Sequence, residues 1–212
     1  MSIILATLTA AALTRAAPAT YPGTWVSDID YPAEAQRQIK RGISSFLLLI
    51  STKGKVVRCY ITQPSGSPEL DKRACVLMSV RGVFKPATDE NGTPVYDTHE
   101  GRINWRHADR PNRDLRPAPE QDDDADLELQ VTRLPNSLLQ QRVALIVRMD
   151  TSGHVAYCEP TAAASVPPSL AAAACTQAKA GYISVTKDES DQPAAVIRTL
   201  DILFKVPTNE EG

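Results

Sequence analysis

The feature that most constrains this chain is an internal repeat. Gly54 and Gly153 are separated by 99 residues, and so are Cys59 and Cys158, Gly82 and Gly181, Asp89 and Asp188, Pro94 and Pro193, and Ile103 and Ile202. Only the middle slips, where Cys75 matches Cys175 at a separation of 100. A one-residue loop insertion followed by a one-residue helix deletion accounts for the slip. The 212 residues are therefore read as two small related modules, because a duplicated chain reuses one folding solution.

Each copy has the same local pattern. An apolar run (Phe46 to Ile50, then Val143 to Val147) meets a short Gly-containing turn at Gly54 or Gly153. A second apolar run follows, Val56 to Ile61 or Val155 to Cys158. Two strands around such a turn form a hairpin. A helix comes next. In the first copy Pro68 and Glu69 open it, Leu70, Ala74, Leu77, Met78 and Arg81 recur at helical spacing, and Gly82 stops it. In the second copy Ser169 is the expected cap of a helix through Leu170, Ala174, Cys175 and Ala178 to Gly181. Turns at Asn91-Gly92 and Asp191-Gln192 lead into last strands expected around Gly101–Arg106 and Leu200–Val206. Asp89 and Asp188 precede these turns and are expected to bond their backbone. A leading helix, Pro32 to Lys40, is expected in the first copy alone.

The ends and the middle differ in composition. Ile3 to Leu13 is apolar and small, and Ala17-Pro18-Ala19 offers small residues at cleavage positions, so residues 1–19 read as an export signal. The stretch before the apolar run holds no Lys or Arg, and Arg15 lies beyond it. Twelve residues from Ser2 to Leu13 reach only about 18 Å as a helix, short of the roughly 30 Å of a bilayer core. The expectation is a periplasmic protein with no retained membrane anchor. Residues 110–126, rich in Pro, Arg and Asp, read as a linker, with Asp122, Asp123, Asp124 and Asp126 solvated. The domain reading is then 1–19 signal, 20–109 first module, 110–126 linker, 127–207 second module and 208–212 tail.

The four cysteines of an exported chain suggest two bridges among three possible connectivities. The repeat favours Cys59–Cys75 and Cys158–Cys175, with four buried free thiols as the competing reading. A zinc site lacks paired CxxC spacing. A net charge of −2 gives no basic face for nucleic acid. His99, His107 and His154 read as solvated, and no nucleophile elbow, phosphate loop or HExxH motif is present. No catalytic site, metal or cofactor is expected. Trp25 and Trp105 are read as packed residues rather than an exposed interface.

The ordered residues resemble one family. Tyr31-Pro32-Ala33-Glu34-Ala35, Gly42, Gly54-Lys55-Val56, Ser65-Gly66-Ser67, Leu70-Asp71, Phe84-Lys85-Pro86-Ala87, Gly92-Thr93-Pro94-Val95 and Arg102-Ile103-Asn104-Trp105 follow in sequence the pattern of the TonB C-terminal domain. The second copy resembles it more weakly, with Leu134-Pro135 in place of Tyr-Pro and Ile183 to Thr186 in place of Phe-x-Pro-Ala. The resemblance implies an α+β fold, two tandem modules each with a small antiparallel sheet and a helix on one face. Cysteine-bearing versions of the domain occur in the family, in keeping with the favoured pairing. The resemblance also implies a partner: an outer-membrane TonB-dependent transporter, or another envelope protein, whose extended TonB-box peptide adds as a strand to the edge of the last strand. Here that edge would be Arg102, Ile103, Asn104, Trp105 and Arg106, or Leu200, Asp201, Ile202, Leu203, Phe204 and Lys205, or both. Each last strand has an alternative reading as a core strand covered by the other module, and free edges would also permit a homodimer. The sequence shows neither the membrane helix nor the long Pro-rich spacer of TonB itself. The expectation is an adaptor, a competitor, or a structural relative without energy transduction.

Overall fold

The structure, a computed structural model, describes residues 12–106, 125–161 and 166–207. The first described segment contributes a two-residue strand, β1 (Ala17–Pro18), and two 3-10 turns, Pro22–Thr24 and Asp28–Asp30. The leading helix is short, α1 (Ala33–Arg37), and the chain leaves it with Ile39 at φ 51°. The hairpin follows as β2 (Gly42–Ile50) and β3 (Val56–Gln63), then α2 (Pro68–Arg81), β4 (Phe84–Lys85), β5 (Ala87–Thr88) and a long β6 (Pro94–Trp105). The second half contributes β7 (Leu127–Gln130), β8 (Gln140–Met149), β9 (Val155–Pro160), α3 (Pro168–Gly181), β10 (Thr186–Lys187), β11 (Pro193–Ala194) and β12 (Val196–Lys205).

Local chemistry sets these elements. Gly54 and Gly153 turn the hairpins at φ 73° and 84°, a region that side chains with a Cβ avoid. Pro68 opens α2 where its missing N–H costs nothing. The turn aspartates work as expected. The Asp89 carboxylate accepts the N–H groups of Asn91 and Thr93, and Asp188 those of Ser190 and Gln192. The expected Ser169 cap is not formed: α3 starts two residues earlier than a Ser169 cap would place it, at Pro168 after Pro167, with no side-chain cap.

Each helix is fastened to its hairpin by sulfur, Cys59–Cys75 in the first half and Cys158–Cys175 in the second, with Cα atoms 5.5 and 5.7 Å apart. No free cysteine remains. A polar chain adds to this in the first half. Trp105 Nε1 donates to Ser44 Oγ, and Ser44 donates to the Asp71 carboxylate, joining β6, β2 and α2 inside the core.

The two halves share one sheet. Its order is β3-β2-β6-β12-β8-β9, with β5 beside β6 and β7 beside β12. The junction is a short parallel pairing, Tyr96 with Val196 and Asp97 with Ile197. The repeat aligns Pro94 with Pro193, so the counterpart of Tyr96 is Ala195, one residue away from its actual neighbour. Neighbours across a sheet share a face, and successive residues alternate. The one-residue offset therefore turns corresponding side chains to opposite faces. Accordingly Leu48 and Ile197 pack in a core with Leu70, Ala74, Leu77 and Met78 of α2, while Leu49 and Val196 pack in a second core with Ala174 and Ala178 of α3. The helices cover opposite faces of a common sheet.

Candidate functional site

The last strands meet different fates. β6 pairs with β2 along its whole upper length, from Asp97–Ile50 to Trp105–Gly42. Its other side meets β5 at Pro94 and Val95 and β12 at Tyr96 and Asp97. From Thr98 onward none of the described strands pairs with that side. Along Arg102–Arg106 the side chains alternate: Ile103 and Trp105 are buried, and Arg102, Asn104 and Arg106 are exposed.

A cleft of about 450 Å³ runs along this part of β6. Trp25, Val26, Phe46, Leu48 and Met78 supply an apolar wall and floor, and His99 and residues 101–106 supply the strand side. Gly101 keeps the floor open, because a Cβ there would fall 2.6 Å from the Phe46 ring. The facing wall is held by polar bonds. Trp25 Nε1 donates to Thr20 Oγ1 at 2.8 Å and its ring packs edge-on to Phe84. Asp30, only 3% exposed, accepts from the Ser27 N–H and hydroxyl and from Arg73 and Arg81. The Arg81 guanidinium, aided by Ser27, holds the Asp30 carboxyl well below the usual carboxylate range against the cost of burial. Trp25 was expected to be packed, and it is, yet its contribution to a cleft wall was not foreseen.

β12 offers no comparable edge. Residues Ile202, Leu203, Phe204 and Lys205 pair with β8 on one side and, in parallel, with Leu127 to Gln130 of β7 on the other. Leu200 and Asp201 pair with β8, and the Asp201 N–H donates to the Asp126 carboxylate at 2.9 Å. The second expected docking edge is thus filled from within the chain, which corrects the expectation for Leu200–Lys205. Asp126 is exposed, in keeping with its reading as a solvated residue, and it also accepts from Tyr182 and Arg198. Asp122, Asp123 and Asp124, the rest of the linker from residue 110, the tail 208–212 and His107 lie outside the described residues.

The N-terminal segment also departs from expectation. Residues 12–19, read as the end of an export signal, are built into the fold. Leu13 and Ala16 are buried in the α2 core, Thr14 exchanges backbone bonds with Thr88, β1 pairs with β4, and the Ala19 N–H donates to Val83 O. Arg15 reaches the junction of the two halves. Its Nε lies 2.8 and 2.9 Å from the two oxygens of Asp97, and its other nitrogens donate to Thr98 O and Thr199 Oγ1. Asp97 is 1% exposed and also accepts the Ala16 N–H. Burial pushes its carboxyl up, with Arg15 opposing. Cleavage after Ala19 would remove this segment from the core.

His99, read as solvated, is half-buried against the Phe84 ring at 5.1 Å. Burial, then the Arg15 charge, lowers its affinity for a proton. His154 is exposed in its hairpin turn, as expected.

Residues 27–107 match the family described as Gram-negative bacterial TonB protein C-terminal. The first half of the chain carries a TonB C-terminal domain. The match spans β2, β3, α2 and β6, and leaves Trp25 and Val26 of the cleft outside it. This half is therefore similar to the C-terminal domain of TonB. No curated protein and no solved structure matches the chain at a significant level. Among the described residues no helix is long and apolar enough to cross a membrane, and no group of His, Cys, Asp and Glu is placed to hold a metal.

Proposed function

We propose that the chain is a periplasmic TonB-like binding protein that takes an extended peptide of an envelope partner as an added strand on β6, beside the cleft along Gly101 to Arg106. The partner chemistry is that of the TonB box of an outer-membrane transporter. The observation that carries this reading is the apolar cleft that lies along β6 between Gly101 and Arg106. Backbone groups at such an edge supply affinity without a deep pocket, and adjoining pockets select alternate side chains. The cleft suits one apolar side chain of the peptide, and the exposed Arg102 and Arg106 suit acidic residues on it.

Roughly five added bonds at about 1 kcal/mol net each, with about 2–3 kcal/mol for one buried apolar side chain, correspond to about micromolar affinity. The second half acts as structural support: its own β7 and the first half's β6 occupy the edge of β12. Fluorescence polarisation with a labelled TonB-box peptide and the oxidised protein tests the reading. A Kd near micromolar is expected, and saturation absent up to about 1 mM overturns it.

A further inference from the structure

β6 carries a gap in its inward row of side chains. Its odd-numbered residues face the α2 core: Phe46, which pairs with Gly101, lies in that core, and so do Ile103 and Trp105. Between His99 and Ile103 the row has no side chain, because residue 101 is glycine. The cleft of about 450 Å³ opens at this gap. That size lies within the roughly 300–1,000 Å³ of pockets that enclose a ligand group. Aligned residues on neighbouring strands share a face, and successive residues alternate. On a strand added to β6, the residue opposite Gly101 therefore points into the cleft, and its two flanking residues point to the other face.

The lining selects among side chains. Trp25 and Trp105 each belong to an edge-to-face aromatic pair, with Phe84 at 5.3 Å and with Tyr31 at 5.7 Å. An inserted ring extends such packing, whereas a small side chain leaves voids that forfeit contacts. One polar ring is placed among them. His99 lines the cleft with its ring edge-on to Phe84, and neither ring nitrogen has a hydrogen bond among the described residues. Burial, then the Arg15 charge, lowers its proton affinity. A neutral imidazole keeps one acceptor nitrogen, and a phenol brought into an apolar cleft needs such an acceptor.

We propose that the cleft is a tyrosine subsite: the partner strand places a tyrosine opposite Gly101, with its ring against Trp25 and Phe46 and its hydroxyl donating to His99. The subsite depends on the strand addition proposed for β6, and it supplies that addition with a register. A one-residue slip would turn the tyrosine to the opposite face and empty the cleft. The glycine is what makes room, since a Cβ at residue 101 would fall 2.6 Å from the Phe46 ring.

Fluorescence polarisation with the oxidised protein separates the subsite from strand addition. The labelled TonB-box peptide reports strand addition itself. A short host peptide of alternating Thr and Ser, with Ala, Phe or Tyr as a central guest, reports the subsite. The Tyr host is expected to bind about 30-fold more tightly than the Ala host and about 5-fold more tightly than the Phe host. If the TonB-box peptide binds but the three hosts bind equally, or the Tyr host fails to bind at about 1 mM, the subsite is overturned and strand addition stands. Failure of every peptide overturns both. His99→Leu is expected to bring the Tyr and Phe hosts to equal affinity while Phe stays ahead of Ala, and a Tyr preference that survives overturns the role of His99. Nuclear Overhauser contacts from the guest ring to the Trp25 indole and the Gly101 α-protons are expected. Contacts instead to Leu47 or Tyr60, which share the opposite face of the sheet, would overturn the placement.

Discussion

Replacing Arg15 by Met removes its charge and keeps most of its stem. The wild-type guanidinium makes a two-oxygen contact with Asp97 through Nε and reaches Thr98 O and Thr199 Oγ1. Asp97 is 1% exposed, so the variant strands a carboxylate with the Ala16 N–H as its chief remaining donor. Breaking a buried pair from one side costs about 3–5 kcal/mol when the stranded group stays charged. Asp97 can escape part of that cost by binding a proton. Burial already raises its proton affinity in the folded protein, and loss of Arg15 raises it further. A folded-state pKa above the unfolded value means that stability falls as pH rises, by up to about 1.4 kcal/mol per unit, until the folded pKa is passed. The destabilisation should therefore be about 1–2 kcal/mol at pH 5, the cost of the lost hydrogen bonds, and about 3–5 kcal/mol at pH 8. Urea unfolding followed by circular dichroism at the two pH values measures it. His99 shifts in the same sense, because Arg15 also lowers its proton affinity. Asp97→Asn in the Arg15→Met background separates the two, and most of the pH 8 loss should be recovered there. A loss under 1 kcal/mol, or one equal at both pH values, would refute the reasoning.

Removing either bridge as a paired substitution, Cys59→Ala with Cys75→Ala or Cys158→Ala with Cys175→Ala, should cost about 3 kcal/mol for loops closed over 16 and 17 residues. Because both halves share one sheet, calorimetry should show a single transition lowered by about 6–12 °C in either variant, and two separate transitions would contradict the shared sheet. Asp30 has a depressed folded pKa, so its contribution is present above about pH 4 and is lost as pH falls below that. Asp30→Asn should therefore flatten the acid limb of a stability–pH curve, and an unchanged slope below pH 4 would count against the Arg81 pairing. Arg102→Glu, at an exposed position, should leave the melting temperature within about 1 °C and weaken an acidic TonB-box peptide about 3–10-fold at low salt.

Much of the local structure was legible because it is set by short-range chemistry. Pro68, the apolar spacing through Met78, and Gly82 bound α2 to within a residue. The glycine turns, the aspartate-bonded turns and the bridge pairing followed from residues repeated in both halves. What escaped depends on distant partners. The one-residue offset at Tyr96–Val196 merges the halves into one sheet, and no local propensity records a pairing between residues a hundred positions apart. Both last strands also begin earlier than expected, at Pro94 and Val196, and the added residues are those that meet at the junction.

Small apolar composition misled at the N-terminus. Leu13 and Ala16 suit a leader peptide and a tight core equally well, and Arg15, which looked misplaced after an apolar run, is the residue that meets buried Asp97. β7 is only four residues long, and it sits beside a stretch read as linker. Its docking on β12 decides which of the two expected edges remains available. In the cleft, Phe46 and Leu48 were read within an apolar strand and Met78 on a helix, but their role at its floor depends on where Trp25 and its 3-10 turns return to the sheet.

The central claim is that β6, and not β12, receives a partner strand. Titration of ¹⁵N-labelled, oxidised protein with a TonB-box peptide, followed by amide and indole NMR, tests it directly. Saturable shifts at residues 98–106 and at the Trp25 indole, with residues 202–205 unmoved, are the expected result. Shifts confined to 202–205, or none at 98–106 at millimolar peptide, would contradict it.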